Sequence, residues 1–374
     1  MRSISASLAL IFCTLPALTS TAVWALPVAG LYRHEIGVNN QSEQERNRAF
    51  QESLAAVIVK VTGESRWLEN SSIQRAIENA RSYVEAIEYR SESVIQESPE
   101  ESATDVGSNA TSPMLVDQEF LQVSFAQDLV DQLLADAAIP VWDSNRPGVL
   151  VWMALQNDAG DRYLLTPEND PGIVELMQQF AALRAIPIIF PVLDFEDRRA
   201  LSADLIWSLD DQAIRLASER YAADSILAGR LHITASGDLV GLWQFIFQEQ
   251  VEVFDSLDTE LIRYISEPLD RITAQLARHF AVVPSRIGLQ TARLRIEGID
   301  GLVAYAELIA YLQQLVMVDS VTISALNGNV LELNLSLQGS QGQLYELLGL
   351  DRNLMPLDPG GLEGGQVLSY RWVR

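Results

Sequence analysis

The run VLVWMAL at 149–155 is apolar from end to end, and it limits the fold more than any other stretch. A strand with one face in water alternates apolar and polar residues, whereas a strand covered on both faces reads as a continuous apolar run. The segment is therefore expected to be a sheet strand sandwiched between helices. The residues after it keep that rhythm. A helix over 171–184 has Pro171 in its first turn, and PIIFPV at 187–192 reads as a second buried strand. A helix running to Tyr221 is capped by Ser208 and Asp211, and 225–232 returns to the sheet. The runs 242–248 and 251–254 suit an antiparallel pair, and a long helix over about 259–280 closes a mixed-sheet α/β domain at 147–284.

The flanking regions have other orders. Before the middle domain, 31–38 reads as a strand, and Ser42-x-x-Glu45 as a capping box opening a helix. That helix has the stripe Ala49, Phe50, Leu54, Val57, Ile58 and Val61 and stops at Gly63. Ile73, Ala76, Ile77, Ala80, Val84 and Ile87 keep helical spacing and predict a second helix from about 72. The chain is extended from Tyr89, resumes as a strand at 120–125, continues as a helix over about 126–137 and ends in an extended piece at 139–142. An N-terminal βααββαβ domain over 26–146 is expected, interrupted at 91–113 by an acidic, Ser/Glu-rich insertion that has too little apolar surface to offset the cost of ordering. After Pro284, strands at 293–296, 319–324, 330–337 and 367–373 alternate with helices at 302–316 and 342–350. Asn327-Gly328-Asn329 forms a hairpin turn. Strand-helix-strand-strand-helix-strand is the ferredoxin-like order for 285–374. The glycine cluster at 360–365 reads as a flexible turn.

The first residues bear on location. Arg2, an uncharged apolar run over about 4–18 and the small-residue exit Ala22-Val23-Trp24-Ala25 have the layout of a secretory signal peptide. The apolar run is shorter than the ~20 residues of a membrane-spanning helix. Cleavage is expected after Ala25, with Ala22 as the alternative. Cys13 is preceded by Phe12 where a lipoprotein needs a small residue, so it is expected to leave with the peptide and not to carry lipid. The mature protein is then expected to be periplasmic and without thiols. No later run of 18 residues is free of charged or amide side chains, so no transmembrane segment is expected in the mature chain.

The net charge of −24 argues against nucleic acid and anionic lipid as partners. His34, His232 and His279 are far apart, and the chain lacks HExxH, GxSxG and Walker-type loops. No catalytic, cofactor-binding or metal residue, and no cofactor, is expected on these grounds.

Four segments carry a likeness to a known family: ERNRAFQESLAAVIVKVTG (45–63), FLQVSFAQDLVDQLLADAAIPVWDSNRPGVLVWMAL (120–155), IPIIFPVLDFED (186–197) and ASERYAADSILAGRL (217–231). In combination they resemble the proteobacterial envelope family called domain of unknown function 2066, over roughly 29–350. The insertion at 91–113 and the glycine-rich tail depart from it. The resemblance implies a secreted Gram-negative location and no particular chemistry. The middle segment is also similar, at the level of fold, to small α/β domains of periplasmic assembly proteins such as those of the flagellar basal body and the Tol system.

Two stretches are candidate contact sites. Asp194, Glu196, Asp197, Arg198 and Arg199 come directly after the strand PIIFPV, where open α/β sheets tend to bind ligands. Three carboxylates and two guanidiniums there could hold a cation, an anion or a partner, or form a solvated loop of local ion pairs. Trp142 and Arg146 lie in a turn between domains. They suit either an exposed hot spot or a tryptophan packing the junction beside an Arg–Asp tie. Arg220 is read as complementing the C-terminus of its own helix. The function expected is that of a non-enzymatic binding or scaffold module with envelope protein partners; the alternative is a hydrolase or a small-ligand or cation-binding protein using the 194–199 loop.

Overall fold

A computed structural model describes residues 28–96, 114–157, 159–284, 289–351, 353–357 and 367–373. The leader, most of the 91–113 insertion and the glycine cluster lie outside them. The fold is mixed α/β with three sheets.

The N-terminal sheet has the order β1–β3–β2, antiparallel throughout, from β1 (Arg33–Val38), β2 (Val84–Gln96) and β3 (Met114–Phe125). Helix α1 (Glu43–Thr62) packs across it through Ala49, Phe50, Leu54, Val57, Ile58 and Val61. Ser42 caps α1 by accepting from the Glu45 amide, but Glu45 turns its carboxylate to the Asn39 amide and Arg48, so the capping box is only half made. Gly63 ends the helix at φ 74°, and a Cβ there would sit 2.4 Å from that of Ala277. The position thus needs glycine for both conformation and close packing. Helix α2 (Ser71–Glu78) is shorter than its apolar spacing implies. A 3₁₀ turn at Ala80–Tyr83 comes next, and Val84 and Ile87 lie on β2. Helix α3 (Gln127–Asp136) completes the unit. The expected strand at 139–142 is only a two-residue bridge, Val141 to Val282.

The middle sheet runs β5–β4–β7–β8–β9, from β4 (Val149–Gln156), β5 (Arg162–Leu164), β7 (Ser225–Ile233), β8 (Leu239–Phe247) and β9 (Gln250–Asp258). β4 is parallel to β7 and buried on both faces, as its apolar run requires. One face is covered by α4 (Pro171–Arg184) and α8 (Leu261–Phe280), the other by α5 (Phe195–Ala200), α6 (Ala203–Trp207) and α7 (Asp211–Ser218). Three expectations change here. PIIFPV contributes only the half-buried β6 (Ile188–Ile189) beside the first residues of β4, because Pro187 and Pro191 have no N–H to extend a ladder. The stretch at 194–199 is a capped helix, not a loop. Asp210 rather than Ser208 or Asp211 caps α7, which stops at Ser218, while the Ser208 hydroxyl donates to the Leu205 carbonyl.

The C-terminal sheet has the order β11–β12–β10–β14–β13, from β10 (Gln290–Glu297), β11 (Val318–Asn327), β12 (Val330–Leu337), β13 (Leu354–Pro356) and β14 (Leu368–Trp372), with α9 (Leu302–Gln314) and α10 (Gln341–Leu350). This is the ferredoxin-like order with an addition. The chain leaves α10 into the outer strand β13 and doubles back, so β14 inserts parallel to β10. The apolar core is continuous from the α8 face of the middle sheet into this unit. Among the described residues no helix is long and apolar enough to cross a membrane.

Candidate functional site

The 192–199 corner is built from the backbone outward. Leaving Pro191, the chain passes through Leu193 at φ 54°, a left-handed conformation that a branched side chain adopts only when its surroundings enforce it. The Leu193 amide donates to Asp197 Oδ2 at 2.9 Å, and its carbonyl accepts from Arg198 Nε at 2.8 Å. Asp194 caps α5, with Oδ1 accepting from the Glu196 and Asp197 amides at 3.0 Å each. Asp197 is buried, and its charge is met by residues just beyond the end of α7, on the same face of the sheet. Arg220 forks onto both oxygens of Asp194, at 2.8 and 2.9 Å, and reaches Asp197 Oδ1 at 2.9 Å. Tyr221 donates its hydroxyl to Asp197 Oδ2 and accepts from the Val192 amide at 2.8 Å. Tyr221 in turn stands edge-on to Trp152 of β4, 6.0 Å between centroids, so the network is seated on the central strand.

The electrostatics are set by these bonds. The Arg220 guanidinium and the two helix amides hold Asp194 well below the usual carboxylate range. Burial, and then the neighbouring Asp197, raise the Tyr221 phenol. Asp194 is thus a fully engaged anion, the opposite of a carboxylate poised to trade protons near neutrality. Glu196 and Arg199 are exposed, with Glu196 3.6 Å from Arg220. Among the described residues no group of three or more His, Cys, Asp or Glu side chains is arranged to hold a metal ion.

Beside those exposed charges the network leaves two large apolar side chains in water. Val192 and Phe195 are 74% and 79% exposed, flanking the strained Leu193. Sequence reasoning brought the 194–199 residues together but assigned Arg220 to its own helix end, whereas with Tyr221 it is the group that fixes them. The Asp-x-x-Asp spacing of a capped helix was the available signal; the arginine more than twenty residues on gave none.

Trp142 and Arg146 occupy a different place. Trp142 is 0% exposed and Arg146 3%, so neither forms an exposed hot spot. The Arg146 guanidinium stacks on the indole at 4.1 Å and donates to five carbonyls, those of Trp142, Asp143, Lys60, Arg184 and Ala185, at 2.7–3.1 Å. Lys60 is in the last turn of α1, and Arg184 and Ala185 end α4, so the cation sits where two helix C-termini converge. Burial lowers its pKa to about 9, with Asp143 acting in the opposite sense, which leaves it charged at neutral pH. The expected Arg–Asp tie runs through the Asp143 main-chain carbonyl. The Asp143 carboxylate instead accepts from the Ser144 amide at 2.6 Å and, across to the C-terminal unit, from the Val316 amide at 2.8 Å. Asn145 donates to the Leu347 carbonyl at 2.7 Å. Five consecutive residues thereby bond to all three units.

Comparison with known proteins bears on the two ends of the chain. Residues 291–367 match the family model DUF2066. That DUF2066 match covers β10 to the approach to β14, so the family likeness lies in the C-terminal unit, outside all four segments on which the sequence reading based it. Residues 25–143 match a second family model, described as a domain of unknown function (DUF8605), which takes in the 45–63 segment and the first part of 120–155. No curated protein matches the chain. A solved structure titled "Crystal structure of uncharacterized protein" aligns over 36% of this chain and 91% of its own, at 11% identity and a TM-score of 0.18.

Proposed function

We propose that this chain is a non-enzymatic binding or scaffold protein of the Gram-negative envelope, exported to the periplasm and acting through protein contacts. The observation that supports this best is the braced corner: Val192 and Phe195 project into solvent from a backbone held in a strained conformation by Asp194, Asp197, Arg220 and Tyr221. Large apolar side chains exposed on a rigid support are what a partner's pocket takes hold of. Two of the three carboxylates that a hydrolase or cation site would use there, Asp194 and Asp197, are already committed to Arg220 and to amides. The leader-like first residues support export.

The test is site-specific photo-crosslinking in cells, with the crosslinker at position 195 and a control at the exposed position Gln212 of α7. A discrete crosslinked species is expected at 195 only, abolished by Val192→Ser. Identical patterns at both positions would count against docking at the corner. Mass analysis of the chain from the periplasmic fraction, expected to begin at Leu26, tests export separately.

A further inference from the structure

A second surface lies on the opposite side of the middle unit from β4 and goes beyond the corner. Helices α5, α6 and α7 cover β4 and β7, with Leu150, Trp152, Ala154, Ile226, Ala228 and Ile246 in the core they share. Toward the free edge the same face of the sheet is bare. Val240 on β8 and Val251, Val253 and Leu257 on β9 are exposed, Leu257 to 69%. Their register places them side by side, Val240 opposite Leu257 and Ile246 opposite Val251. Strand β9 is nine residues long and pairs with β8 without a register shift. The other edges of the middle and C-terminal sheets are blunted: β5 and β13 have three residues each, and β11 carries two shifts.

The hairpin fixes which backbone groups are free. A two-residue turn at Gln248–Glu249 makes Phe247 and Gln250 a hydrogen-bonded pair. Alternation then turns the N–H and C=O of Val251, Val253, Asp255 and Leu257 to the open edge. Their side chains share the bare face, three of them apolar with Asp255 between Val253 and Leu257, while Glu252 and Asp258 lie on the other face. Charge selects the occupant. β9 carries Glu252, Asp255 and Asp258 and no basic residue. Glu252 is paired to Arg271, and Asp258 lies 3.8 Å from Arg263, but Asp255 has no ion pair among the described residues. A second copy of a chain with net charge −24 would set acid against acid along this edge.

We propose that β9 is an acceptor edge for an extended segment of a cationic partner protein, which adds a strand to the middle sheet with apolar residues over Val251, Val253 and Leu257 and basic residues toward the acidic side chains. Backbone bonds would supply affinity and alternate side chains selectivity.

The probe is a fluorescein-labelled peptide of alternating valine and lysine, VKVKVKVKV, titrated by anisotropy against the full chain. The expected results are saturable binding, at least tenfold weaker binding of VEVEVEVEV and of VKVKPKVKV, and slowed amide exchange at 251, 253, 255 and 257 on peptide addition. Val253→Pro removes an edge-facing N–H that β8 does not use and should weaken binding at least tenfold with the melting temperature nearly unchanged. If that variant fails to fold, Glu252→Lys serves instead, because its side chain lies on the face the peptide's charged residues would share, and it should reverse the preference between the lysine and glutamate peptides. Equal binding of the proline-broken peptide would reduce the effect to net charge and overturn the proposal. So would unaltered affinity in the variants. Amides at these positions already protected without peptide would show the edge occupied by another segment of the chain or, if sedimentation gives a dimer, by a second copy. Loss of crosslinking at position 195 has no bearing on these results, so the two surfaces stand or fall apart.

Discussion

Replacing Arg146 with alanine removes the donors of five carbonyl oxygens in a water-poor junction. A buried acceptor left without a partner costs at least ~1 kcal/mol, so the five together set a scale of ~5 kcal/mol. Lost stacking of the guanidinium on Trp142 adds up to ~2 kcal/mol. Water entering the vacated space would re-satisfy some carbonyls and recover part of this. The net expectation is a loss of ~4 kcal/mol, in the range found when a buried charged network loses one member and a large share of the ~5–15 kcal/mol that holds a typical protein folded. Arg146→Lys keeps the charge but presents three donors from one point instead of a planar fork, so roughly half the loss is expected. Urea unfolding followed by tryptophan emission reads this directly, since Trp142 lies beneath the substituted side chain. A loss below ~1 kcal/mol for Arg146→Ala, or equal behaviour of Ala and Lys, would refute the claim that the guanidinium ties the units together.

The same bonds and close packings set four other outcomes. Burial, reinforced by Lys60, lowers the His34 pKa to about 4, against ~6.5 in an unfolded chain. The unfolded chain therefore takes the proton first. The stability tied to His34 is full above ~pH 6.5 and lost as pH falls toward 4, and melting temperatures of His34→Gln should show a flatter decline over that window. Gly241→Ala would place a Cβ 1.9 Å from the Tyr264 hydroxyl and 2.1 Å from the Arg230 carbonyl, breaking the 2.8 Å bond between them. A cost of ~3 kcal/mol or failure to fold is expected. Gly349→Ala, in open space on α10, should instead stabilise by up to ~1 kcal/mol in the same thermal melt. Arg220→Ala leaves Asp194 and Asp197 without their shared cation, so the corner should loosen and trypsin should cut faster after Arg198 and Arg199.

Where a feature rests on neighbouring residues, the chain announces it. The unbroken 149–155 run could only be a doubly covered strand, and Asn327-Gly328 could hardly avoid a hairpin. What escaped was set by partners distant in sequence. Ile77 through Ile87 keep helical spacing, yet β3 offers Val84 and Ile87 a sheet edge, and that pairing overrides the local pattern. The corner reads as a charged loop until Arg220 is placed upon it, which turns two free carboxylates into a clamp and leaves Val192 and Phe195 as its exposed product. Arg146 illustrates the same point from the other side: nothing near it in sequence says that Lys60 and Arg184 will bring two helix ends to its guanidinium.

The two proposed surfaces belong to one sheet, and the 142–146 segment is what makes their placement definite. Strand β4 begins three residues after Arg146, and the corner is fastened to β4 through Tyr221 and Trp152. Strand β9 lies three strands from β4 in the same sheet. Val61, Lys60, Val316 and Leu347 take hydrogen bonds with Trp142, Arg146, Asp143 and Asn145, so both neighbouring units are held against the start of that sheet. A junction resting on main-chain carbonyls rather than exposed ion pairs is little weakened by salt. Such a chain can present an apolar corner and an open edge at a fixed separation, which is the physical requirement for holding two partners in register.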